Sequence, residues 1–336
     1  MTIAMLAALG VAGTGMAGSG RAAPAQPRPA APAPATTGAN VWTGTYLDGV
    51  QRFTLHANSN GVDYDIWVSL PPGYDREKRA YPLLVQLDGQ SQFALAATAA
   101  RLVHSDSLVD DMIVVGVAAA GPAIRHQAQR LYDYTPDNVP ASVKARMVPY
   151  LEKGFKAQGM SDAEWTALDT SGIYGGAPKF LAFLEKQLLP TLKGRYRVDT
   201  ATMGLSGHSV GGAFVSYALL MGSSFNRYSI GSYTSDWYGD RIPALIDAFA
   251  KMPDRRDIRV YEAHGDYELT QLASLGGGQA ALDRALNLLD ATATARPGLV
   301  TVTHRVIADA GHSGMVPAQI TGGIRILFGP AAPKAP

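Results

Sequence analysis

A chain of 336 residues, 47% apolar and 17% charged, can bury a sizeable core as one large domain or two small ones, and its composition is that of a soluble globular enzyme. The formal net charge of +1 offers no basic stripe for nucleic acid or an anionic membrane surface, so neither is expected as a partner. Cysteine is absent, which removes disulfides, thiolate metal sites and a cysteine nucleophile.

In chain order, an apolar run from Ile3 to Ala12, then small residues, then Ala23-Pro24-Ala25 has the form of the later part of a secretory signal with an A-x-A-like site, although no Lys or Arg precedes the run. The run is shorter than the roughly 20 apolar residues of a membrane span. The expectation is a secreted or periplasmic protein with no span in its mature chain, or a cytoplasmic one if the segment is not a signal. Pro24 to Thr36 is Pro/Ala-rich and reads as an extended linker. Residues 1–40 are therefore assigned to signal and linker, 41–328 to a catalytic domain and 329–336 to a disordered tail.

Within the domain, Tyr64, Ile66, Val68 and Leu70 alternate with Asp63, Asp65, Trp67 and Ser69, which predicts a strand with one wetter face, towards an edge. Tyr81 to Leu87 and Met112 to Ala118 are near-continuous apolar runs, as central parallel strands require. The segment from Asn138 to Tyr174 is too long for a simple connection. Its Ser161-Asp162-Ala163-Glu164 has the form of a capping box and predicts a helix inside an insertion that would act as a lid or binding loop. A helix is predicted over about Lys179 to Leu189, ending before Pro190, and another over Ala280 to Leu289. Further strands are predicted at Ala201 to Leu205, Arg227 to Ser232, Ile258 to Ala263 and Val300 to Ile307. This alternation predicts an α/β domain with a mostly parallel central sheet, helices on both faces and a helical insertion.

The chemistry centres on Gly207-His208-Ser209-Val210-Gly211. A short strand before it and the apolar helix predicted from Val210 to Met221 after it make this a nucleophile elbow, a turn so tight that small residues must flank the serine. A serine hydroxyl needs a base, and the base needs an acid to hold its tautomer. Of seven histidines, four precede Ser209, which leaves His264, His304 and His312. His264 sits where the acid is expected and His304 lies within a strand, so His312, in the Gly-flanked loop after the last strand, is the candidate base. Asp266 and Glu268 share the loop after Ile258 to Ala263, and chain order does not separate them as acid. For the oxyanion, the Val210 N–H is one expected donor; Gln90, after the Leu87-Asp88-Gly89 turn, is the second, with Gly89 as its alternative. There is no H-E-x-x-H or close His cluster, and neither Gly276-Gly277-Gly278 nor Gly175-Gly176 has the form of a phosphate loop, so no metal is expected and both are read as turns.

With those residues in place, the chain resembles the putative esterase family of α/β-hydrolases, from about Gln51 to Phe328. That family includes enterochelin esterases, S-formylglutathione hydrolase, feruloyl esterases and mycolyltransferases. The siderophore-esterase-like branch is the nearest, through Tyr81 to Gln90 (YPLLVQLDGQ), Arg130 to Pro136 (RLYDYTP), Gly175 to Phe180 (GGAPKF) and the elbow extended by Gly212. The resemblance implies the α/β-hydrolase fold, no cofactor, and an acid three residues after Gly265, which favours Glu268. It also implies that Trp237, in Ser235-Asp236-Trp237-Tyr238, lines the pocket. The insertion is longer than the family usually has. The expected function is a serine esterase cleaving a siderophore-type or other small ester through an acyl-enzyme. An acyltransferase using the same intermediate, or a catalytically silent binding protein on this fold, are the alternatives.

Overall fold

Strands that point successive side chains to opposite faces give this chain two apolar layers, one on each side of a single sheet. The computed structural model describes residues 49–330 except 171, 254–255 and 272–277, with backbone only for 123–125 and 271. The signal and linker assigned to 1–40, the expected start of the domain at 41–48, Gly276 and Gly277, and tail residues 331–336 lie outside the described residues.

Among the described residues, eight strands lie in the order β1-β2-β4-β3-β5-β6-β7-β8: β1 Val50–Ala57, β2 Val62–Ser69, β3 Tyr81–Gln86, β4 Ile113–Ala119, β5 Val198–His208, β6 Arg227–Gly231, β7 Ile258–Gly265 and β8 Val300–Ile307. The pairs β1–β2 and β2–β4 are antiparallel, and every pair from β4 to β8 is parallel. With helices covering both faces, this is the α/β-hydrolase fold. The strand predicted over Asp63 to Leu70 lies one place in from the edge, shielded by β1.

On one face, Leu84 of β3 and Val114 of β4 pack under α1 (Gly89–Ser105), through Phe93 and Ala96, together with Ile320 and Ile324 of the C-terminal helix at Val316–Phe328. On the other face, Leu83, Val85, Val115 and Val117 meet the main core. Its helices include α2 (Ala123–Tyr134), α3 (Ala141–Ala157), α4 (Asp162–Ala167), α5 (Ala177–Phe183), α6 (Leu189–Arg195) and α7 (Val210–Leu220). They are followed by α8 (Ile242–Ala250), α9 (Glu268–Gln271), α10 (Gln279–Ala295) and the C-terminal helix, α11.

Two helical boundaries differ from the sequence reading. Pro190 does not end its helix: Leu184–Leu188 form a π turn, and Pro190 then sits in the first turn of α6, where a proline's missing N–H is best tolerated. The helix predicted to stop at Leu289 runs on to Ala295, carrying buried Thr292. The insertion does carry its own helices, α3 and α4, and Ser161 caps α4 in a complete capping box with Glu164.

Candidate active site

Strand β5 ends at His208 and α7 begins at Val210, so Ser209 alone makes the turn, at φ 60° and ψ −122°. A non-glycine residue persists in such a conformation only where its surroundings over-determine it. Here the Ser209 N–H donates to Gly231 O at 2.8 Å. A Cβ on Gly207 would lie 2.5 Å from Gly211 O, and one on Gly212 2.8 Å from Gly231 O, so strand and helix can approach this closely only through glycine. Val210, as the first residue of α7, presents an N–H with no intrahelical acceptor.

The turns after β6, β7 and β8 converge on that serine. His312 Nε2 lies 3.0 Å from Ser209 Oγ, and its Nδ1 lies 3.2 Å from Glu268 Oε2. Glu268 Oε1 accepts the Gly265 N–H at 2.7 Å. Burial of Glu268 would raise its pKa, but hydrogen bonds from His312, Ser232 and the Gly265 N–H outweigh it and hold the carboxyl below its usual range. Asp266, the other acid of this loop, is engaged elsewhere: its carboxylate accepts the N–H groups of Asp309 and Ala310, both at 3.0 Å, and so pins the loop that carries His312. The bond from Asp309 N–H leads those that depress the Asp266 pKa.

Ser232, a residue that the sequence reading did not single out, sits between acid and base. Its hydroxyl donates to Glu268 Oε2, and its oxygen lies 2.8 Å from His312 Nδ1. Like Ser209, it follows its strand directly with a positive φ, 48°. Position immediately after β6 was the only signal for it.

His208 packs its ring 4.7 Å from that of His312, centroid to centroid, with both ring nitrogens buried and, among the described residues, without a hydrogen-bond partner. Burial, then the neighbouring His312, push its pKa down to about 3. It stays neutral at working pH and opposes no charge that forms on His312. The Arg130-to-Pro136 motif braces the elbow from α2: Arg130 grips Asp88 through Nε (2.7 Å) and one terminal nitrogen (3.0 Å), and reaches His208 O at 3.0 Å. Tyr134 Oη accepts the Asp88 N–H at 3.2 Å. Gly175, at φ 96°, and Gly176, which caps α5, make the turn read from the sequence.

A cavity of about 160 Å³ opens on Ser209, lined also by Val210, Ser232, Trp237, His264, Glu268 and His312. Trp237 is 3% exposed and faces Tyr174 at 6.3 Å between ring centroids. The insertion supplies the far wall: Val143, Met147 and Leu151 fall four apart on α3 and line one side. Gly89 and Gln90 are not among the lining residues. Gly89 starts α1 pressed against the β4 backbone, where a Cβ would lie 2.6 Å from Val117 N, and Gln90 borders a smaller hollow beside Asp88 and Arg130. His304 lies away from the serine, with Nδ1 3.2 Å from Glu262 and Nε2 3.1 Å from Asp290.

The family model described as "Putative esterase" matches residues 148–237, a span that includes the elbow and ends at Trp237. The ferri-bacillibactin esterase BesA of Bacillus subtilis is 22% identical over 297 residues, 85% of this chain and 92% of that protein. The siderophore triacetylfusarinine C esterase of Aspergillus fumigatus is 27% identical over 199 residues, 57% of this chain and 58% of that one. Among solved structures, the IroE-like serine hydrolase of Shewanella oneidensis has the same fold, with a TM-score of 0.62 at 22% identity over 83% of this chain and 80% of its own. In sequence and in fold, the chain is similar to the putative esterase family of α/β-hydrolases, in its siderophore-esterase-like branch.

Proposed function

We propose that this protein is a serine esterase that cleaves a carboxylic ester through an acyl-enzyme. Ser209 Oγ attacks the ester carbonyl while His312 Nε2 takes its proton; the same nitrogen then returns the proton to the departing alcohol. Water, deprotonated by His312, attacks the acyl-enzyme; the bond to Ser209 Oγ breaks, His312 returns the proton to that oxygen and the acid is released. Glu268 keeps the Nδ1–H tautomer in place and stabilises the imidazolium. The Val210 N–H is one donor to the tetrahedral oxyanion, and Gln90, or else Gly89, is the second. Trp237 forms part of the substrate wall.

The observation that carries this reading is the continuous contact from Ser209 Oγ through His312, 3.0 Å on one side and 3.2 Å on the other, to a buried Glu268. The relatives named for ferri-bacillibactin and triacetylfusarinine C support a siderophore-type ester as substrate. Export is part of the proposal on the strength of the signal-like segment alone, and fractionation of the producing cell tests it. The function is tested with p-nitrophenyl, feruloyl and siderophore lactone esters, with Ser209→Ala as the blank and a competing alcohol present in a parallel set. Hydrolysis in wild type and none in the blank is the expected result. Transfer to the alcohol outpacing hydrolysis would make the protein an acyltransferase, and no turnover of any ester would reject the reading.

A further inference from the structure

His264, next to last in β7, lines the same cavity as Ser209 and His312 but takes no part in the chemistry proposed above. Side chains alternate between the faces of a strand, so Glu262 shares its face two residues back, 1% exposed. Glu262 Oε1 lies 3.3 Å from His264 Nδ1, and Oε2 lies 3.2 Å from Nδ1 of His304, the register partner of Glu262 on β8. Both oxygens of this carboxylate therefore face imidazoles, as burial so deep requires.

A carboxylate has no hydrogen to give, so His264 Nδ1 carries it, and in the neutral ring Nε2 is left as an acceptor. Among the described residues Nε2 makes no hydrogen bond, and unlike the two ring nitrogens of His208 it is not sealed by packing. What remains exposed of this side chain, 9%, belongs to a ring in the cavity wall. Glu268 and His312 repeat the arrangement, with a carboxylate at Nδ1 and Nε2 turned the other way. There Nε2 meets Ser209, whereas the Nε2 of His264 has been given a fixed tautomer and, among the described residues, nothing to bind.

We infer that His264 Nε2 is a binding point for substrate, accepting a hydrogen bond from a hydroxyl or amide N–H that the ester carries near its scissile bond. The inference rests on the ester-cleaving function proposed above and specifies its substrate. An ester with such a donor replaces the water it strips from Nε2. One with a methyl or methylene group there leaves the acceptor bare, and that asymmetry is what lets hydrogen-bonding sites reject analogues lacking the donor.

The test uses two pairs of esters, one for each side of the scissile bond: p-nitrophenyl butanoate with its 3-hydroxybutanoate, and butyl acetate with 3-hydroxybutyl acetate. Each kcat/KM is divided by the rate constant for hydroxide hydrolysis of the same ester, so that inductive effects cancel. Wild type should favour the hydroxylated member of at least one pair by about fivefold, the worth of one neutral hydrogen bond. His264→Asn keeps an amide N–H for Glu262 but ends short of Nε2, so it should lower that ratio by about fivefold. His264→Gln carries its amide to the place of Nε2 and can turn the carbonyl to the cavity, so it should keep the preference. If His264 served only to satisfy Glu262, the pattern would differ: Asn would match wild type, and Gln would lower Tm while leaving the ratio alone.

A wild-type ratio of one or less in both pairs overturns the inference while leaving the esterase function standing. So does an unchanged ratio in folded His264→Asn. Should that variant fail to fold, loss of the preference in folded His264→Gln overturns it instead. Folded wild type that turns over none of the four esters rejects the esterase function, and this inference with it.

Discussion

The two walls of the cavity are built by different means. On the strand-end side, Ser209, Ser232, Glu268 and His312 follow β5, β6, β7 and β8, and backbone bonds fix the turns that carry them. Ser209 N–H donates to Gly231 O and Ser232 N–H to Ala263 O, both at 2.8 Å, and Asp266 N–H donates to Ile307 O at 3.1 Å. On the insertion side, α3 is tied down largely by side chains: Arg146 on Asp236, Lys144 over the Tyr174 ring at 5.5 Å, and the buried Val143, Leu151 and Phe155. Geometry inherited from sheet register is common to the whole domain, whereas geometry held by side chains changes one residue at a time. The first wall suits the chemistry proposed for it and the second would suit substrate choice.

The largest effect should come from the proposed nucleophile and base. Ser209→Ala and His312→Ala should each lower kcat by about a million-fold, since members of such a triad act as a unit. Circular dichroism should report an intact fold. Residual wild-type-like turnover in either variant would break the assignment of chemistry to the strand-end wall.

Next in size is the contrast within one loop. Glu268→Gln should cost about 10⁴-fold in kcat, the loss typical when the imidazole loses its orienting carboxylate. Asp266→Asn keeps one accepting oxygen for the Asp309 and Ala310 N–H groups, so it should cost less than about tenfold and appear mainly as a lower Tm, the usual reading of a lost loop bond. Both are checked by steady-state kinetics beside thermal unfolding. The reverse order would transfer the acid's role to Asp266.

A smaller effect should mark the opposite wall. Excising residues 138–174 would uncover the core that Leu151 and Phe155 bury, so a point change is the sharper probe. Met147→Ala widens the cavity beside α3 and should shift preference between p-nitrophenyl butyrate and octanoate towards the longer chain by about tenfold, the scale on which apolar pockets tell methylenes apart. An unchanged ranking in a folded variant would mean that α3 borders the cavity without touching substrate.

The elbow was legible in the sequence because its demands are local: a serine turning strand into helix at φ 60° needs Gly207 and Gly212 within three residues. The place of His312 beside Ser209 was legible through chain order. The choice between Asp266 and Glu268 was not legible from order, because it depends on which carboxylate finds N–H groups 43 and 44 residues away, at Asp309 and Ala310. Ser232 was hidden for a similar reason: nothing in its own neighbours distinguishes it, and its contacts at Glu268 and His312 come from two other strands. The edge strand β1 escaped because only Phe53, Leu55 and Ala57 alternate among mostly exposed residues, too weak a period to separate from loop.

The smallest expected effect lies on the outer flank of the strand-end wall, where β8 closes the sheet. Glu262 on β7 is 1% exposed and sits 3.2 Å from His304 on β8, whose other ring nitrogen is 3.1 Å from Asp290 of α10. The Glu262 bond, with a further contribution from Asp290, raises the His304 pKa above its ordinary 6.5. A raised histidine pKa stabilises the fold fully below the unfolded value, and that contribution fades as pH rises through the folded value. His304→Gln should therefore lower the urea-unfolding free energy at pH 5.5 by no more than about 1 kcal/mol, solvent screening at this partly exposed ring limiting the gain. At pH 9 the difference should be smaller, since the contribution fades as pH rises through the folded value. A loss of equal size at both pH values would mean that the neutral ring makes the same contacts and that its charge contributes nothing to holding β8 against β7.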